Sequence, residues 1–148
     1  MSSFLEKLKG TIEAEEAASR DERRPAKRPE GFLQLDVDIY QTDTEIIIYT
    51  LVPGVEVKDL DITIEGDNDI ITITGNRPLP AMAQEMIEKQ SGKLLKRELL
   101  WGPFFRQIIL PQEINVQGVE AKLNKGVLVI RLPLLKIDIH GKRKVTVE

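Results

Sequence analysis

The chain has 148 residues, 21 Lys and Arg against 24 Asp and Glu, a net charge of −3 and no cysteine. That length suits one domain with short tails, able to bury about 68–70% of the surface its unfolded form exposes. Disulfides and thiolate metal sites are excluded, the mild charge argues against nucleic acid as a partner, and no apolar run reaches the ~20 residues of a membrane span.

Residues 1–31 differ from the rest, with seven acidic and seven basic side chains and large apolar groups confined almost to the first twelve positions. Ser3-x-x-Glu6 has the form of a capping box, and Phe4, Leu5, Leu8 and Ile12 then share one helical face, weakened by Gly10. "SRDERRPAKRPEG" follows, charged and broken by proline, which predicts a solvated linker. An apolar secretion segment is missing from "MSSFLEKLKGTIEAEE", so a cytoplasmic location is expected.

From Phe32 the hydrophobic period becomes two. "LQLDVDIY" alternates strictly and predicts one strand; the β-branched run of "TEIIIYTLV" suits a strand buried on both faces or near the core. "PGVEVKD" is a loop, and "LDITIE" and "DIITIT" are strands joined by the turn residues "GDN". "FFRQIIL", "VEAKL" and "GVLVIRL" complete at least seven short strands, the pattern of an all-β, immunoglobulin-like antiparallel sandwich. The prolines from Pro53 onward all fall at strand ends or in loops.

One connection, "RPLPAMAQEMIEKQSGKLLKRELLWGP", is too long for a compact sandwich unless it carries structure or a function. "AMAQEMIEKQ" leans to helix, with Met82 and Met86 four apart, and "KLLKREL" could be an additional strand.

Chemistry is sparse. His140 is the single histidine and sits in a polar tail. Asp36/Asp38 and Asp59/Asp61 could each share a strand face, but such pairs fit an outward polar row better than an acid–base dyad. "EGDNDI" has its glycine before the aspartates and no closing glutamate, so it is a poor calcium loop. Phosphate-binding glycine loops and nucleophile elbows are missing too. No enzyme activity, cofactor or metal is expected. The notable residues are instead apolar groups in unexpected places: the Phe4/Leu5/Leu8/Ile12 face, "LLWGPFF", and Val145 and Val147 in "GKRKVTVE".

At this point a family resemblance can be read. "AKLNKGVLVIRLP" resembles the signature of the small heat-shock proteins, the α-crystallin domain family, at Ala121, Gly126, Val127, Leu128, Leu132 and Pro133. "PGVEVKDLDI" is similar to that family's Pro-Gly-Val loop, and "IITITGNR" to its strand ending Gly-x-Arg at Gly75 and Arg77. "ELLWGPFFRQIILP" is similar at Glu98, Gly102, Phe104, Arg106, Leu110 and Pro111. Order and spacing agree over about residues 33–133. Leu51-Val52 and Leu134 depart from the usual pattern, and the N-terminal arm is short for the family.

The resemblance implies an N-terminal arm and linker over 1–31, an α-crystallin domain over 32–136 with an exchange loop at about 76–102, and a C-terminal tail over 137–148. It implies a dimer made by strand exchange, with Leu94, Leu95, Glu98, Trp101 and Arg106 at the interface and Glu98 of one copy paired with Arg106 of the other. It also implies a tail motif docking in a groove of a neighbouring dimer. Val145 and Val147 are the favoured motif and Ile137 and Ile139 the rival. Twelve residues from Pro133 to Val145 reach about 40 Å, whereas four to Ile137 reach about 14 Å. Burying two valines contributes roughly 3–6 kcal/mol against about 1–2 kcal/mol for each ordered residue. A single docked tail is therefore marginal, and many hold through avidity.

The implied function is an ATP-independent holdase. Its partners would be further copies of itself and partly unfolded clients, met by Phe4, Leu5, Leu8, Ile12, Met82 and Met86, with no nucleic acid and no membrane span. The alternative is a CS-domain-like co-chaperone adaptor, which typically lacks the long loop and the tail.

Overall fold

A computed structural model describes residues 24–135. They form two four-stranded sheets packed face to face, with strands β1 Leu33–Gln34, β2 Val37–Gln41, β3 Glu45–Leu51, β4 Leu60–Glu65, β5 Ile70–Arg77, β6 Gly102–Ile109, β7 Glu120–Asn124 and β8 Val127–Pro133. One sheet runs β1-β6-β5-β4, the other β2-β3-β8-β7. All pairings are antiparallel except the short β1–β6 pair, which is parallel.

The core follows from the alternation. Ile46 and Ile48 of β3, Ile71 and Ile73 of β5, Phe104 and Ile108 of β6, and Leu128, Ile130 and Leu132 of β8 face inward and are buried. Each large aliphatic side chain removed from water contributes about 1.5–3 kcal/mol. The β7–β8 hairpin turns on Lys125 and Gly126, both at positive φ, as a two-residue turn matched to strand twist requires.

Several features refine the sequence-based expectations. "LQLDVDIY" is not one strand: Leu35 and Asp36 carry the chain from the first sheet to the second, and the row Leu33, Leu35, Val37 stays on the core through the corner. β3 is not buried on both faces, because Ile46, Ile48 and Thr50 point inward while Tyr49 and Leu51 are exposed. The linker is not wholly solvated: Ala26 is buried, and its N–H donates to Gln107 Oε1 at 2.8 Å. "KLLKREL" forms no strand within its own chain. The helical tendency of the long connection is real, giving α1 over Ala81–Lys89.

Candidate functional site

Three of the sequence motifs converge at one end of the sandwich. Arg77, the last residue of β5, donates from Nε to Pro53 O at 2.8 Å and from Nη1 to Leu100 O at 3.2 Å. Its alkyl chain lies over Gly54. The Gly126 carbonyl accepts from Val52 N–H at 2.7 Å, and a Cβ on Gly126 would stand 3.1 Å from Pro53 Cα. Gly75 is tighter still, since a Cβ there would meet Phe104 Cζ at 2.5 Å and Asp59 O at 2.6 Å. The glycines thus permit close approach, and Arg77 ties the start of the long connection to its return. Beside this root a cavity of about 380 Å³ opens between the β1–β2 corner, Leu51, Arg77 and Leu100.

The long connection itself projects apolar groups into solvent. Met82, Met86 and Ile87 of α1 are exposed. The helix closes on Gln90 at φ 53, and Met86 lies against Gly92. Beyond it, Leu94 (63% exposed), Leu95 (86%), Leu99 and Leu100 follow along a segment without strand partners among the described residues. Trp101 is half-buried. On the other sheet β2 is an edge strand carrying the exposed Ile39 and Tyr40.

Glu98 and Arg106 are not brought together within the chain. Glu98 pairs with Lys96 at 3.2 Å on the surface. Arg106 lies on the inward row of β6 and donates from Nη1 to Leu35 O at 2.8 Å, bracing the corner between the sheets. This contact of Arg106 is not visible in the sequence; only an arginine on a strand's apolar row hints at it.

At the opposite long side the two remaining edge strands, β4 and β7, leave a seam. Leu60, Ile62 and Ile64 from one and Leu123 from the other are only partly buried, yet pack on the core. The outer face of the second sheet carries Glu45 and Arg131 in a two-point ion pair, with Nε–Oε1 at 3.1 Å. That hydrogen bond holds the Glu45 carboxyl below its ordinary value and raises the Arg131 guanidinium.

The Asp69 carboxylate of "EGDNDI" accepts from Asp67 N–H at 3.2 Å in a tight turn with Asn68 at φ 61. Among the described residues no group of three His, Asp or Glu side chains is placed to hold a metal ion. No helix among them is long and apolar enough to cross a membrane. Phe4, Leu5, Leu8, Ile12, Ile137, Ile139, Val145 and Val147 lie outside the described residues.

The model of the Hsp20/alpha crystallin family matches residues 38–148. The chain belongs to that family. Among relatives of this Hsp20/alpha crystallin member, small heat shock protein C2 of Rickettsia felis is 35% identical over 110 residues, covering 70% of this chain and 66% of the relative. A class IV heat shock protein of Pisum sativum is 31% identical over 112 residues, covering 75% and 53%. The chain thus spans less than two thirds of the length of these relatives. Heat shock protein 16.0 of Schizosaccharomyces pombe has the same fold, with a TM-score of 0.60 at 22% identity over 78% of this chain and 99% of that one. The family match begins inside β2, so β1 and the docked linker precede it.

Proposed function

We propose that this protein is an ATP-independent holdase chaperone that binds partly unfolded proteins and keeps them from aggregating. The observation that carries the reading is the segment 91–101: it offers exposed leucines and unpaired backbone, opposite in need to the unpaired edge of β2. Lone edge strands and exposed apolar runs are aggregation hazards unless something covers them. Exchange between two copies covers both at once by adding a strand to each sheet. Leu94, Leu95 and Trp101 would then enter the interface, and Glu98 would leave Lys96 for a partner's arginine, Arg106 being the family-based choice.

The tail would dock in the β4–β7 seam of a neighbouring dimer, using Val145 and Val147 in preference to Ile137 and Ile139. Clients would meet the arm, Met82, Met86 and the seam when the tail leaves it. Such contacts need no nucleotide, cofactor or catalytic residue, and a cytoplasmic location fits the composition. The CS-domain adaptor is less well supported, because α1 and the leucine segment have no task in it.

Two measurements test the reading. Light scattering of a heated model protein should fall when this protein is added without ATP. Sedimentation should give an assembly above a dimer that collapses to dimers when residues 141–148 are removed. A full-length monomer, or unchanged scattering at equimolar ratio, would overturn the corresponding half.

A further inference from the structure

The outward face of the first sheet is not the polar surface expected of a two-layer sandwich. By register, Ile70 and Thr72 of β5 and Phe105, Gln107 and Ile109 of β6 point away from the core. Phe105 and Gln107 are nevertheless each 1% exposed, and Ile70 and Thr72 are buried too. They lie outside the central cluster between the sheets, so this face carries a second, smaller core.

The linker is stitched to it. Ala26 N–H donates to Gln107 Oε1 at 2.8 Å, and Gln107 Nε2 donates to Thr72 Oγ1 at 3.2 Å. A buried amide is costly unless its donor and acceptor are both used. With the linker backbone seated on this face, Gln107 uses both its acceptor and its donor.

A second observation points the same way. Glu65 is the outward cross-strand partner of Ile70, and among the described residues its Oε1 is buried with no hydrogen-bond partner. A buried carboxylate oxygen requires a donor. Two strand spacings across and two residues along put Glu65 about 12 Å from Gln107. Arg23 precedes Ala26 by three residues, at most about 10 Å of chain before its side chain is counted.

We infer that this face is the seat of the chain's own N-terminal arm. The Phe4/Leu5/Leu8/Ile12 stripe lies over Phe105, Ile109 and Ile70, Arg20 or Arg23 supplies the donor for Glu65, and Ala26–Gln107–Thr72 is the latch. The occupant is this arm because the chain leaves the described region from that face, carrying an apolar stripe and the required arginines. The inference rests on the chaperone reading only for its consequence, that the seated arm is withheld from clients until the latch opens.

The experiment uses the full chain, whose lack of cysteine allows thiols to be placed at will. Cysteines replace Ile12 and the exposed, outward Thr63, and a short thiol-reactive cross-linker is added. A link within one chain, running as a monomer on a denaturing gel, is expected; links only between chains, or none, overturn the inference. Ala26→Pro removes the N–H that Gln107 accepts without touching either sheet. It should abolish the link and speed trypsin cleavage after Arg20 and Arg23 about tenfold. An undiminished link with unchanged cleavage overturns the latch. Loss of aggregation suppression by the unmodified chain would sink the chaperone reading and leave the docking result standing.

Discussion

Arg77 holds Leu100 across 23 residues of sequence, so the long connection starts and ends at one side chain. The same guanidinium grips Pro53. Arg77→Ala should cost about 1–3 kcal/mol in urea unfolding, the range for two lost hydrogen bonds to carbonyls. It should also loosen the proposed dimer by releasing the root of the proposed exchange segment. Lysine should not rescue it, because one ammonium cannot reproduce the planar two-point contact.

Gly75→Ala is expected to be worse, although it changes a single methyl group. The added carbon would press on Phe104 and on the Asp59 carbonyl, and overpacking at such a site costs about 1–3 kcal/mol or more. Thermal unfolding followed by circular dichroism would report it. A melting temperature equal to the parent's would show that the two strands part freely here.

Leu94→Asp with Leu95→Asp should leave the sandwich intact, since both side chains are exposed. Sedimentation should fall to a monomer, and the emission of Trp101, the only tryptophan, should shift to the red. A dimer that survives would place the interface elsewhere.

The tail offers a direct comparison. Replacing Val145 and Val147 with alanine should reduce the native mass to that of a dimer, whereas alanine at Ile137 and Ile139 should change it less. Native mass spectrometry distinguishes the two, and the reverse order would make the isoleucines the docking motif.

The Glu45–Arg131 pair gives a pH signature of known sign. Glu45 has a lowered pKa when folded, so its contribution is complete above the ordinary value of 4.5 and is lost as pH falls through the lower folded value. Glu45→Gln should therefore narrow a small stability gap from the parent as the solution is acidified, and salt should narrow it too. Urea midpoints at neutral and acid pH, with and without salt, check both.

Much of this architecture is legible in the residues. The alternation in "LDITIE" and "GVLVIRL" gives strands and faces directly, because a two-residue period has one structural meaning. The corner at Leu35–Asp36 is not legible for the same reason: an apolar row that stays on the core reads identically whether the strand continues or changes sheet. Ala26 escaped because its docking uses a backbone N–H, which leaves no mark on side-chain composition. "KLLKREL" carries apolar residues in a strand-like pattern, but no strand among the described residues pairs with it.

The corner also makes the sandwich mechanically asymmetric. On the β1–β2 side the sheets share a covalent hinge, braced by Arg106 on the Leu35 carbonyl and by Thr50 on that of Asp36. On the other side β4 and β7 share no ladder. The core is therefore closed by backbone at Leu35–Asp36 and by partly buried side chains, Ile62, Ile64 and Leu123, along the other edge.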